Sequence, residues 1–190
     1  MNILYLASAA IPSESANSLQ ITKMVEALKY SGHDTGLFVP RRKNRNQYDA
    51  TQLREQYGLR YDIEIKYIPW LPTAFGTLLF VLISVIIFSL RHGRADLVIT
   101  REPNLAFCTS LLRLNTAIEI HQLPVTRIAK WTLTRLVRSS TKSKRVTLIG
   151  ITNGIKTDVL KTTGNQNRSP QMHVLPSGVD LSHFESMQAN

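Results

Sequence analysis

The 190-residue sequence predicts an α/β fold with a doubly wound, mainly parallel sheet. Three observations carry that expectation. Short, nearly continuous apolar runs recur along the chain, as strands covered on both faces require. Stretches with apolar residues at helical spacing separate them. The connections are short, and strand–helix–strand alternation of this kind winds into layers around a parallel sheet.

Ile3-Leu4-Tyr5-Leu6-Ala7 is the opening strand, and a helix follows over Ser18 to Tyr30 with Ile21, Met24, Val25 and Leu28 on one face. Gly32 suits a left-handed cap after it. Thr35 to Val39 is the second strand, closed by Pro40, and the polar stretch 41–60 reads as loop with a short helix. Ile63 to Ile68 alternates, which predicts a strand nearer an edge. Further strands are Asp96 to Thr100, Ala117 to His121, Val146 to Ile151 and a short His173 to Leu175. Helices are predicted over Asn104 to Leu112, Thr126 to Ser139 and Ile155 to Lys161. Ligands of such sheets gather beyond the carboxyl ends of the strands, which puts Ser8 to Asn17, Arg101-Glu102 and His121-Gln122 on one rim.

Composition narrows the function classes. A hydrophobic content of 43% is that of a globular core and excludes intrinsic disorder. The net charge is +10, with 11 basic and 7 acidic residues up to Ala95 and 12 and 6 after it, so no detachable basic tail exists. This excess favours nucleic acid, anionic membrane or phosphorylated ligands. No nucleic-acid recognition motif accompanies it, and no nucleic acid is expected as a partner. The single Cys108, among apolar neighbours, excludes a disulfide framework and a thiolate zinc site. No metal and no cofactor is expected. The opening has no positive n-region, and Glu14 ends its apolar stretch, so the protein is expected in the cytoplasm.

The turn after the first strand, Ser8 to Ser18, contains no glycine, which excludes a dinucleotide fingerprint and a Walker loop. A polar loop running into a helix N-terminus remains, where Asn17 or Ser18 can cap. Such an end binds an anion or a sugar hydroxyl, or is simply a helix cap. Glu119 and His121 lie two apart on a predicted strand and share one face. A carboxylate beside an imidazole at a strand's carboxyl end suits proton handling or hydroxyl binding, and equally a structural hydrogen bond.

Five segments then form a pattern: Asn17-Ser18-Leu19-Gln20-Ile21-Thr22-Lys23-Met24 with Gly32-His33-Asp34; Asp96 to Arg101; Glu119-Ile120-His121; Ile151 to Lys156; and Val174-Leu175-Pro176-Ser177-Gly178-Val179-Asp180 with Phe184. In that order, over nearly the whole chain, they resemble family-four GT-B-fold glycosyltransferases. The resemblance implies a Rossmann-like single half of a GT-B fold, with residues 1-190 as the acceptor-side domain and the donor-binding C-terminal domain absent. Family members carry two glutamates eight positions apart in the donor half, and no two glutamates here have that separation. Where many relatives have a glycine pair, this chain has Ala16-Asn17-Ser18. The implied reaction moves a sugar from a nucleotide sugar to an acceptor hydroxyl. His121 and Glu119 are the implied catalytic pair, and Ser15, Asn17, Ser18 and Arg101 the substrate-binding residues. Inactivity alone is expected, with a donor-binding domain on a separate chain as the possible partner. The competing class is a non-catalytic membrane-docking or partner-binding module derived from the same fold.

Two segments suggest a membrane. Trp70 to Leu90 is 21 residues without a charge. Its helical part, after Pro72 and Gly76, is about 15 to 17 residues or roughly 25 Å, short of the ~20 residues that span a bilayer. A buried core helix, a helix partly inserted in one leaflet and a true span all remain open. The stretch 127–145 holds seven basic residues and no acidic one. On a helical wheel Arg127, Lys130, Trp131, Arg135 and Arg138 fall opposite Leu133, Leu136 and Val137. Cations mixed with tryptophan make a membrane-surface face, or a solvated basic one. Peripheral association with an anionic membrane surface, and a membrane-proximal acceptor, are the expectations.

Overall fold

The computed structural model describes residues 1–42, 46–165, 170 and 172–176. Within them the chain runs β1 (Asn2–Leu6), α1 (Ala16–Tyr30), β2 (Asp34–Pro40), α2 (Ala50–Tyr57), β3 (Glu64–Ile68), α3 (Ala74–His92), β4 (Leu97–Thr100), α4 (Pro103–Leu111), β5 (Thr116–Ile120), α5 (Arg127–Lys142), β6 (Val146–Gly150), α6 (Asn153–Thr162) and β7 (Met172–Val174). The strands form one seven-stranded sheet in the order β3-β2-β1-β4-β5-β6-β7. Every neighbouring pair is parallel. This is the doubly wound α/β architecture the sequence predicts, with β3 at an edge. The order reverses at β1, between β2 and β4, and such a switch point leaves a crevice beyond the strand ends.

Register decides which side chains share a face. Tyr5 pairs with Leu37 and Ile99, and Ile99 with Ala117, so these four lie on a first face. There α1 and α2 supply Ile21, Val25, Leu53 and Tyr57. On the second face Leu4, Leu6, Phe38 and Val98 meet Phe80, Val81 and Phe88 of α3 and Leu105 of α4. Ile118, Ile120 and Leu148 continue that face under Leu133, Leu136 and Val137 of α5 and Val159 of α6. The described helices therefore divide two and four. On the first face β6 and β7 leave Thr147 and Ile149 half-buried and His173 exposed.

Local chemistry fixes the element ends. Gly32, at φ +82°, turns the chain out of α1 in a conformation an L side chain rarely takes. Asp49 and Gln52 form a reciprocal capping box at the start of α2. Gly76 lies so close to Leu71 that a Cβ there would strike the Leu71 carbonyl, and this close approach fixes the entry to α3. Ser177, Gly178, Val179, Asp180 and Phe184 of the last sequence motif lie outside the described residues.

Candidate functional site

The carboxyl ends of β1, β4 and β5 stand side by side, with Leu6 opposite Thr100 and Thr100 opposite Ile118. The residue after β4 is Arg101. Its Nε donates to Glu119 Oε2 at 2.9 Å, and its Nη1 donates to Asn17 Oδ1 and Gln20 Oε1, each at 3.1 Å. Asn17 and Gln20 are one turn apart on α1 and meet on one side of it. One guanidinium thus ties the start of α1 to β5. The Arg101 and Glu119 side chains are 9% and 10% exposed, and neither ion is stable in such a site without the other.

His121 is the first residue beyond β5. Its Nε2 stands 2.8 Å from Glu119 Oε1, at ion-pair distance but off the direction of a hydrogen bond. Glu119 therefore has a basic group beside each oxygen. A carboxylate in that position orients an imidazole.

Below this trio lies Tyr5, fully buried, whose hydroxyl makes no well-directed hydrogen bond. Burial pushes its phenol pKa far up; Arg101 opposes that shift, while Glu119 and Glu102 add to it. Glu102 binds the first loop: Oε1 accepts from Ser8 N at 3.3 Å and Ser8 Oγ at 3.0 Å, and Oε2 accepts from Thr100 Oγ1 at 3.1 Å. Burial pushes its carboxyl pKa up, and the bonds from Ser8 and Thr100 pull it back in part.

The loop between β1 and α1 is stiffened by its serines. Ser13, Ser15 and Ser18 hydroxyls lie within 2.7–2.9 Å of one another, and Ser18 Oγ also donates to the Ala10 carbonyl. Tyr57 Oη accepts from Ser13 N and donates to Ser13 O. Helix α1 begins two residues earlier than the sequence suggests, and its N-cap is Ser15 rather than Asn17 or Ser18. Ser18 is fully buried with its hydroxyl committed to the loop, Ser15 is exposed, and Asn17 is turned towards Arg101.

Five of the sequence-selected residues, Ser15, Asn17, Arg101, Glu119 and His121, thus gather at one rim. Glu102, placed on this rim by its position just after a strand, joins them. Tyr5 and Gln20 join without having been singled out, and of these two only Gln20 had a legible signal, its spacing of three from Asn17. A fixed cation, an imidazole and exposed loop groups suit a hydroxylated or anionic ligand. Among the described residues no group of three or more His, Cys, Asp or Glu is placed to hold a metal ion. The membrane-surface residues lie elsewhere, on α5, where Arg127, Lys130, Trp131, Arg135 and Arg138 are all exposed. Cys108 is half-buried, and burial pushes its thiol pKa up, against nucleophilic reactivity.

No protein-family model matches the chain, and no curated protein matches it. Solved structures do. Sucrose-phosphate synthase from Thermosynechococcus elongatus superposes with a TM-score of 0.65 and 14% identity, over 96% of this chain and 49% of its own. A short chain dehydrogenase from Mycobacterium smegmatis gives a TM-score of 0.46 and 12% identity, over 94% of this chain and 92% of its own. The chain spans about half the length of the synthase it matches. The likeness shows the fold, a Rossmann-type parallel α/β sheet that superposes on about half of that synthase.

Proposed function

We propose that the chain is the acceptor-side half of a glycosyltransferase that moves a sugar from a nucleotide sugar to an acceptor hydroxyl. The observation that carries the reading is the Arg101–Glu119–His121 trio at the sheet's carboxyl rim, on a fold superposable on half of sucrose-phosphate synthase. In this reading His121 takes the proton of an acceptor or sugar hydroxyl, and Glu119 sets its orientation. Arg101, held by Asn17 and Gln20, faces the negative charge that develops as the nucleotide leaves. Transfer requires donor and acceptor in one site. In this reading residues 1–190 do not suffice for transfer, which also needs a donor-binding half.

Deletion of the coding sequence in its own host tests this. The expected result is loss or shortening of one glycoconjugate, restored by the wild-type chain but not by His121→Ala at equal protein level. An unchanged glycoconjugate profile, or full rescue by His121→Ala, overturns the reading in favour of a docking module without chemistry.

A further inference from the structure

Helices α3, α4 and α5 pack in sequence along the second face of the sheet, α3 against α4 and α4 against α5. Their outer sides form one surface. We infer that this surface docks on an anionic lipid bilayer, with α3 lying lengthwise at the headgroup–acyl boundary and α5 holding the headgroups.

The first observation is the outer side of α3. Its inner row, including Phe80, Val81, Ser84 and Phe88, is buried. The outer row is Phe75, Leu79, Leu82, Ile86 and Leu90, at steps of four, three, four and four, so it makes one straight stripe. Phe75 is 71%, Ile86 58% and Leu90 82% exposed. The stripe runs about 22 Å at 1.5 Å per residue, and no charged residue interrupts positions 70–90. Only 28% of this apolar helix is buried. A core helix would have this side covered. A spanning helix would have to leave the sheet, whereas Phe80, Val81 and Phe88 are packed among Leu4, Leu6 and Phe38. A helix with one side on its own sheet and the other uncharged and apolar except at Ser89 fits a single leaflet.

The second observation is α5. Ile128 and Trp131 are exposed on it, and the Arg135 guanidinium lies 5.1 Å from the Trp131 ring centre. Arg135, Arg138, Ser139 and Lys142 line an open depression on the same helix. With no acidic residue in 127–145, that surface suits headgroup phosphates, and tryptophan settles at the interface depth. Phe107 of α4 packs edge-to-face on Trp131 with centroids 5.3 Å apart, joining the two helices. A protein partner would have to match acidic groups to α5 and a long apolar groove to α3 at once. An anionic bilayer supplies both. The inference does not depend on the glycosyltransferase reading, because Glu119 and Arg101 belong to the other face of the sheet.

Flotation with vesicles of phosphatidylcholine alone, or with 30 mol% (about one lipid in three) phosphatidylglycerol, tests it on the whole chain without any sugar substrate. The wild type is expected to bind the anionic vesicles and hardly the neutral ones. Arg135→Gln/Arg138→Gln/Lys142→Gln should weaken that binding on the order of 100-fold, at about 1 kcal/mol per cation. Leu79→Gln/Ile86→Gln should remove the fraction that survives high salt, and should leave the circular dichroism spectrum and Tm unchanged because both positions face outward. Trp131 fluorescence, read in a Trp70→Phe background, should shift to the blue on anionic vesicles only. Failure of the wild type to bind, or wild-type salt-resistant binding by the α3 variant, overturns the proposal. So does a wild-type dimer in vesicle-free buffer that Leu79→Gln/Ile86→Gln converts to monomer, which would assign the stripe to a second copy.

Discussion

Two histidine–carboxylate–arginine groups sit at opposite ends of the same sheet, and they are built in opposite ways. At the carboxyl end one buried acid, Glu119, serves two bases, Arg101 and His121. At the amino end one enclosed base, His92, serves two acids: Nδ1 meets Asp34 Oδ2 at 2.8 Å, and Nε2 stands 2.9 Å from Glu64 Oε2. Arg91 also reaches Glu64, at 3.2 Å. His92 stacks on Phe88 with ring centroids 4.6 Å apart and closes α3 beside Arg91, whose cation complements the helix dipole. Similar side chains thus do different work. The amino-end group fastens a helix end to β2 and β3. The carboxyl-end group holds a half-exposed imidazole and a fixed cation over the crevice where doubly wound sheets bind ligands. Position in the fold, not residue type, separates the staple from the candidate site.

The largest expected effect removes the shared acid. Glu119→Ala leaves Arg101 and His121 beside each other in a buried site without a counter-charge, a change that costs about 3–5 kcal/mol. Glu64→Ala at the other end should cost about 0–1 kcal/mol, because Glu64 is more exposed than Glu119. Urea unfolding of the two variants measures both. Equal losses would erase the distinction between a buried hub and a surface clamp.

The comparison also shows which parts of the molecule were legible in the sequence. The alternation of apolar runs and helical stretches gave the sheet because each strand's burial is written in its own residues. Glu119 and His121 were legible as a pair because the strand period of two is local, and the structure keeps it although His121 lies just past β5. Asn17 to Arg101 is a contact across 84 positions, and no local period announces it. The burial of Glu102 depends on Ser8 folding back over it, and the His92 clamp depends on β2 and β3 arriving beside the end of α3. Charge pairs made by the fold are invisible until the fold exists. The outer side of α3 was legible as apolar; that it stays uncovered was not, since a core helix has the same composition.

A middle-sized effect separates the two histidines. His92→Ala gives up the stack on Phe88 and the contact to Asp34, while Glu64 keeps Arg91, about 1–2 kcal/mol in all. It should still restore the glycoconjugate in the deletion strain. His121→Ala should be milder on stability, within about 1 kcal/mol, and fail to restore it. A His92 variant that folds normally yet fails in the host would move the functional site to the wrong end of the sheet.

The smallest effect concerns Glu102, which links the first loop to the site. Burial raises its carboxyl pKa in the folded chain, and the Ser8 and Thr100 hydrogen bonds reduce that shift without cancelling it. A folded-state pKa above the unfolded one means that folding favours the protonated form. The corresponding stability is fully present below the ordinary glutamate range and is lost as pH rises through the raised value. Glu102→Gln keeps the shape and the neutral charge at every pH, and its amide oxygen can still accept from Ser8 while the Thr100 hydroxyl turns to accept. The variant and the wild type should therefore have similar Tm values at acid pH and diverge as pH rises to neutrality, with the variant higher. Other carboxylates titrate alike in both proteins and cancel in the difference. A Tm difference that stays flat across that range would mean that the carboxylate is as well solvated by Ser8 and Thr100 as by water, and that the loop is tied to β4 by hydrogen bonds alone.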